Sequence, residues 1–165
     1  MSHQDGERKN DCELNASKRL IKQLREAFPN WPIRVVEDSL FANGPHIKLL
    51  KELNINYIIS VKPEGQESLF AEVKDRFFKH ETEEFEVLGD DKIVRGYRWI
   101  NDIPLNKSYP DLRVNFLDYW EVRDGKEFNF SWMTEIQLTK SNVELVMRGG
   151  RSRWHIENQT FNTLK

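Results

Sequence analysis

The sequence predicts an α/β domain that carries an antiparallel β-rich section. Three observations lead to this fold class: helical periodicity near both ends of the chain, a strand–helix–strand succession within residues 33–61, and hairpin patterns within residues 83–138. The 165 residues suffice for one domain, or for one domain with an insertion. Five Trp and ten Phe supply bulky apolar side chains for a core.

The first predicted element is a helix over residues 10–28. Five residues recur at spacings of three and four and line one face: Leu14, Ser17, Ile21, Leu24 and Phe28. Asn10 followed by Glu13 fits a capping box, and Pro29 ends the pattern. We expect residues 1–9 to be a loose polar segment.

A strand–helix–strand unit follows this helix. The β-branched run at 33–36 predicts a short buried strand that ends at Asp38. Pro45 stands where the first turn of a helix tolerates a missing N–H, and a second apolar strand covers residues 57–61. The two strands should be parallel and joined by a right-handed crossover. A further helix is predicted over residues 66–79.

Residues 83–138 have the pattern of antiparallel strands. Short strands flank a turn at 89–91, and longer ones flank the dipeptide Asp124-Gly125, which is a strong hairpin signal. We expect the stretch from Pro104 to Pro110 to be a link between strands.

Helical spacing returns at Ser141 and continues to the last residue. The predicted organisation has four parts: a loose segment at 1–9, a first part of the core at 10–80, a β-rich insertion at 81–138 and a C-terminal helix of the core at 139–165.

Composition excludes several classes of protein. With 25 basic and 27 acidic side chains, the chain is neither a strongly basic nucleic-acid coat nor an acidic disordered tail. No apolar run approaches ~18 residues, so we expect no membrane contact and a cytoplasmic location. A single Cys excludes an internal disulfide and a cysteine-based zinc site, and the four His residues show no ligand spacing.

Asp38 is the first residue in a position to do chemistry. It ends a buried strand, and parallel sheets present functional groups at the carboxyl ends of their strands. The alternative is that Asp38 only caps or turns the chain, together with Ser39 and Asn43.

Glu157 is the second such residue. It lies inside the apolar stripe of the last helix, where a carboxylate is costly unless it is paired, protonated or bound to a metal. The alternative is a satisfied ion pair with Arg153 or Lys165.

Two distant acids of this kind suit a Mg²⁺ or Mn²⁺ site, because hard cations take oxygen ligands. Two metals about 3.5–4 Å apart can activate an attacking hydroxyl and stabilise the leaving oxygen of a phosphodiester. Arg148, Arg151 and Arg153 could then hold DNA phosphates. The alternative for these arginines is a solvated helix face.

Two stretches point to a known family. Residues 151–165 read RSRWHIENQTFNTLK, and residues 35–47 read VVEDSLFANGPHI. The first resembles the C-terminal signature of bacterial insertion-sequence transposases of the DDE type, and the second resembles their segment with the second catalytic Asp. The resemblance covers essentially the whole chain. By motif, Asp38 corresponds to the second catalytic acid and Glu157 to the third.

The resemblance implies an RNase H-like catalytic core with a β-rich insertion between the second Asp and the Glu. It also implies Mg²⁺ or Mn²⁺ as cofactor, with two ions in the complete enzyme. In the family's Tyr-Arg-Glu-Lys signature, Arg153 matches the Arg, whereas Gly150 stands at the Tyr position. Lys165 falls one residue after the usual Lys and can still reach a phosphate.

The family's first catalytic Asp has no counterpart. It should lie on a strand before the helix at 10–28, and the residues before Asn10 cannot form that strand. We therefore expect an incomplete core, from an internal piece or a truncated product of a longer transposase, that is inactive alone. The strand at 33–37 would keep an unpaired apolar edge, so the isolated chain should be marginally stable or prone to aggregation.

Three functions follow from the sequence. The first is a fragment of a DDE transposase, whose parent enzyme cleaves DNA and transfers strands at transposon ends with the help of a metal. The second is a non-catalytic DNA-binding or transposition-regulating protein that forms a homodimer or pairs with full-length transposase. The third is a metal-dependent nuclease that uses Asp38, Glu157 and a third acid such as Asp11 or Glu37.

Overall fold

A computed structural model describes the backbone of residues 3–163 and the side chains of residues 13–153. In this part of the chain, six strands form one sheet and four α-helices lie against it. The helices are α1 (His3–Ala27), α2 (Gly44–Glu52), α3 (Glu67–Phe78) and α4 (Val143–Thr163). The strands are β1 (Arg34–Glu37), β2 (Asn56–Ser60), β3 (Glu83–Leu88), β4 (Val94–Asn106), β5 (Tyr109–Arg123) and β6 (Lys126–Thr134). The predicted α/β class is confirmed.

The strand order in the sheet is β1-β2-β6-β5-β4-β3. β1 and β2 are parallel, as predicted, with Val36 opposite Ile58. β6 pairs with β2 in the antiparallel sense, with Met133 opposite Ile59. The β-rich section predicted as an insertion at 81–138 (below, the insertion) therefore extends the sheet of the strand–helix–strand unit instead of forming a sheet of its own.

The predicted link between Pro104 and Pro110 is wrong, because both prolines lie within strands. β4 continues to Asn106, and β5 begins at Tyr109, directly opposite it. β3 pairs with β4 only as far as Trp99, so Pro104 lies where β4 has a neighbouring strand on one side. Proline is tolerated in such an edge segment because no strand lies on the outer side to accept a hydrogen bond from its missing N–H.

The two faces of the sheet have separate hydrophobic clusters. Helices α1, α2 and α3 contribute to the first cluster and α4 to the second. β2 serves both, because Tyr57 and Ile59 point to one face and Ile58 points to the other. The largest buried side chains under α4 come from the insertion: Tyr97, Trp99, Tyr119 and Trp132. The insertion thus supplies the large aromatic side chains on which α4 packs, next to Val36 of β1 and Ile58 of β2.

α1 begins at His3 instead of Asn10 and ends at Ala27, before Pro29. No proline interrupts residues 3–9, so the helical turns extend beyond the predicted capping box. Ile21 is buried on the predicted face, whereas Phe28 lies beyond the helix and is 39% exposed. Of the described helices, none combines the length and the apolar run that a bilayer crossing requires.

Candidate active site

A cleft of about 820 Å³ opens at the carboxyl ends of β1 and β2. β2 ends at Ser60, opposite Trp132, so the preceding part of β6 extends past it, and the β6 residues 129–132 form one wall. α4 borders the cleft on one face of the sheet and the start of α3 on the other. The charged side chains that line it are Asp38, Lys62, Asp118, Arg151 and Arg153.

Asp38 is the residue that follows β1 and precedes a 3₁₀ turn, Ser39–Phe41. Its Oδ1 accepts a hydrogen bond from the Leu40 backbone N–H at 2.9 Å. Its Oδ2 accepts one from Arg153 of α4 at 3.1 Å, and the Asp38 side chain is 39% exposed. Asp38 is therefore both a turn cap and a carboxylate of the cleft. The two interpretations from the sequence, a capping residue and a functional carboxylate, do not exclude each other.

Glu37 precedes Asp38 and points to the other side of the strand. Its Oε2 lies 2.8 Å from Nε2 of His46, a side chain that is completely buried. His46 belongs to the first turn of α2, which Asn43 caps by accepting the His46 backbone N–H. The ring of His46 also packs against Phe41, with 5.1 Å between the ring centroids.

α4 approaches the sheet closely at two glycines. A Cβ at Gly150 would lie 2.5 Å from the buried indole of Trp132, and a Cβ at Gly149 would lie 3.0 Å from the terminal methyl of Ile58. The space that a tyrosine would need at position 150 is thus occupied by Trp132. This close packing brings Arg151 and Arg153 within reach of carboxylates at the sheet.

Arg151 makes its contacts on the flank of α4 that faces β5. It forms an ion pair with Glu121, which is 3% exposed and is also paired with Arg123. The Tyr119 hydroxyl donates to the same carboxylate at 2.5 Å, and the Arg151 guanidinium lies 4.8 Å from the Phe130 ring centroid. Burial raises the pKa of Glu121, but the hydroxyl and the two guanidinium groups outweigh it, so this pKa lies below its ordinary value.

Arg148 lies on the solvent side of α4. It pairs with Glu144 one turn earlier, and 71% of its side chain is exposed. Arg148 and Arg151 also line a second groove of about 960 Å³, which lies between α4 and the strands β3, β4 and β5. Arg95 and Arg123 line the same groove. Of the arginines predicted to bind phosphates, Arg153 thus lines the cleft, Arg148 lines the second groove and Arg151 lines both.

Asp118 is a second carboxylate of the cleft. The Ser131 hydroxyl donates to its Oδ1 at 2.9 Å. Burial raises the pKa of Asp118, and neither this hydrogen bond nor the charge of Arg98 cancels the effect.

The third acid predicted by motif is Glu157. Glu157 belongs to α4, but its side chain lies outside the described residues, and so does Lys165. Among the side chains of residues 13–153, no group of three His, Cys, Asp or Glu is arranged to hold a metal.

The family model of the transposase DDE domain matches residues 7–165. The chain belongs to the transposase DDE domain family. This match confirms the resemblance that the two motifs indicate. Comparison with the curated proteins finds no match.

DDE transposases generally use divalent metal ions and bind DNA ends, and the chemistry at Asp38 fits such an ion. Carboxylate oxygens are the hard ligands that these cations prefer. Oδ1 of Asp38 accepts a backbone N–H and retains a lone pair, and the side chain is accessible from the cleft. Asp38 can therefore supply one oxygen ligand.

Sequence reasoning missed Lys62 and Asp118 in the cleft, Glu121 under α4, and the role of His46 beside Glu37. Asp118 and Glu121 are the two charged residues within the otherwise mostly apolar β5 segment NFLDYWEV, and this pattern could have singled them out. His46 gave no such signal, because its partner Glu37 lies on another element.

Proposed function

We propose that the cleft is the strand-cleavage site of a DDE transposase domain, with Asp38 as its second acid and Glu157 as its third. The parent enzyme would cleave DNA at transposon ends and transfer the strands. The observation that carries this proposal is the contact between Asp38, at the carboxyl end of parallel strands, and Arg153 of α4.

Helix geometry supports a role for Glu157 in the same cleft. Glu157 follows Arg153 by four residues, and residues at this spacing lie on the same side of a helix, about 5–6 Å apart. Arg153 already reaches Asp38 from the preceding turn. A side chain one turn further is therefore a suitable second ligand for a cation held at Asp38.

We also propose that the chain forms an incomplete RNase H-like core. In this view residues 10–80 are its first part, residues 81–138 an insertion and residues 139–165 its C-terminal helix. The support is the order along the chain, in which four antiparallel strands, β3 to β6, come between the parallel pair β1 and β2 and the helix α4.

The residues of the cleft would have distinct parts in the reaction. When bound, Mg²⁺ or Mn²⁺ supplies activation of the attacking oxygen and stabilisation of the leaving oxygen, with two ions in the complete enzyme. Asp38 and Glu157 would hold the metal. Arg153 holds the Asp38 carboxylate toward α4 and carries donors that suit a phosphate.

The arginines of α4 would bind the DNA backbone, together with Lys165. Arg148 is the most accessible of them, and its surface pair with Glu144 is worth roughly 0.5 kcal/mol, so a phosphate can displace that partner. Arg151 can pair with Glu121 and still offer N–H groups, because a guanidinium carries five donors. The partner is then DNA in the cytoplasm. It would be bound by a homodimer of this chain or by a complex of this chain with full-length transposase.

The test is to titrate the full chain with Mn²⁺ and to observe the backbone amide signals by NMR. Paramagnetic Mn²⁺ broadens the signals of nearby amides. We expect broadening at residues 38–41 and in the last turns of α4, and none in the hairpin turn at 124–125. Asp38→Asn should weaken Mn²⁺ binding by about tenfold or more. The matched control is Asp111→Asn, an exposed aspartate that does not line the cleft.

Equal Mn²⁺ binding by wild type and Asp38→Asn would overturn the proposal. DNA binding without a metal site at Asp38 would instead favour the regulatory protein. Metal-dependent nicking of DNA by the isolated chain, lost in Asp38→Asn, would favour the stand-alone nuclease.

A further inference from the structure

Glu37 and His46 form a buried polar pair directly behind Asp38. His46 is completely buried, Glu37 is mostly buried, and 2.8 Å separate Oε2 of Glu37 from Nε2 of His46. The residue next to the candidate metal ligand is thus tied to the first turn of α2.

His46 contacts the chain on both sides of Asp38. Its imidazole nitrogen meets Glu37, the preceding residue, and its ring packs on Phe41, at the end of the 3₁₀ turn. Asn43 completes the enclosure, since its side chain donates to the Leu40 carbonyl and accepts the His46 N–H. The short segment 38–41 is therefore held at its beginning and at its end.

This arrangement has an energetic cost. Nδ1 of His46 is buried and has no hydrogen-bond partner among the described residues. An unsatisfied buried polar atom lowers the stability of the folded state, whereas an apolar pair of similar shape would avoid this cost. The buried polar pair of Glu37 and His46 therefore indicates a role other than stabilising the fold.

We propose that Glu37 and His46 are positioning residues that set the direction of the Asp38 carboxylate toward the cleft. The pair fixes the end of β1 against α2, so that the next residue emerges with its Oδ1 on the Leu40 N–H and its Oδ2 facing α4. The inference rests on the proposed function insofar as it concerns metal binding. Its effect on the orientation of Asp38 does not depend on a metal.

The experiment compares wild type with the double variant Glu37→Leu/His46→Phe, which replaces the pair by apolar side chains and keeps an aromatic ring against Phe41. Such replacements usually leave stability unchanged or raise it. We expect thermal unfolding at the wild-type temperature or above, together with Mn²⁺ affinity reduced by about tenfold. The metal-free readout is the Leu40 amide, which should exchange faster with solvent once its bond to Asp38 is disordered.

The single variant His46→Gln is the conservative control, because its amide nitrogen can take the place of Nε2. We expect it to bind Mn²⁺ more tightly than the double variant, close to wild type, and to preserve the protection of the Leu40 amide. A double variant that folds, binds Mn²⁺ as wild type does and keeps Leu40 protected would overturn the inference. Should Asp38→Asn leave Mn²⁺ binding unchanged, the proposed function fails, while the Leu40 amide still decides the positioning role.

Discussion

Two carboxylates meet α4 from the sheet, and their surroundings differ. Glu121 of β5 is 3% exposed and accepts from a tyrosine hydroxyl and from two guanidinium groups, one of them that of Arg151. Asp38 at the end of β1 is 39% exposed and has one backbone N–H and Arg153 as partners. Glu121 is enclosed by protein donors, whereas Asp38 keeps coordination capacity on an open cleft. A carboxylate therefore stabilises the fold at Glu121 and is available to a ligand at Asp38.

The two contacts also lie on different flanks of the helix. Residues two apart in an α-helix are separated by roughly 200° around its axis, so Arg151 and Arg153 reach to opposite sides. α4 is held by Glu121 on one flank and by Asp38 on the other, with Gly149 and Gly150 pressed against the sheet just before them.

The largest effect should come from Glu121→Gln. The variant leaves the mostly buried guanidinium of Arg151 without its charged partner, and breaking a buried pair in this way costs about 3 kcal/mol. The free energy of unfolding at neutral pH, measured with urea, should fall by this amount. Glu144→Gln is the matched control, since its pair with Arg148 is exposed and is worth less than about 1 kcal/mol.

The pH dependence sharpens the same comparison. The pKa of Glu121 is lowered in the folded state, so its contribution to stability is present above the unfolded-state pKa and is lost as pH falls through the folded-state pKa. Acidification should therefore destabilise wild type more steeply than Glu121→Gln. A loss below about 1 kcal/mol at neutral pH, or parallel pH profiles, would show that Glu121 is not the anchor of α4.

An intermediate effect is expected for Gly150→Ala. The added methyl would overlap the buried Trp132 ring, and overpacking costs about 1–3 kcal/mol, of which higher helix propensity returns roughly 1 kcal/mol. Gly149→Ala is the neighbouring control, because there the methyl meets the flexible end of Ile58. Thermal unfolding should rank Gly150→Ala below wild type and Gly149→Ala near it. The reverse order would mean that α4 does not rest on Trp132.

The smallest effect is expected for Asp118→Asn, and it should be stabilising. Burial raises the pKa of Asp118, so its contribution favours folding at low pH and is lost as pH rises through the folded-state pKa. At pH 7 the amide should gain less than about 1 kcal/mol, and it can still accept from Ser131. Thermal unfolding at pH 7 and at acidic pH tests this, with the exposed Asp111→Asn expected to be neutral. A decrease in stability at pH 7 would contradict it.

Much of the fold follows from local patterns in the sequence. Periodicity located the helices and the parallel pair, and the position of Asp38 at a strand end placed it in the cleft. The prolines at 104 and 110 led to the wrong prediction of a link. A strand tolerates proline where it has no neighbouring strand on one side, and which sides of β4 and β5 have neighbours is a property of the whole sheet. The partners of Glu121 and His46 likewise come from other elements, so no spacing along the chain could reveal them.

The outermost strand of the insertion has a consequence for assembly. Glu83, Glu84 and Glu86 of β3 are all exposed, and two such strands laid side by side would bring like charges together. A fibre that alternates β1–β1 and β3–β3 contacts is therefore disfavoured at every second contact. A β1–β1 contact between two molecules escapes this repulsion and leaves the glutamate-rich β3 edges on the outside of the pair.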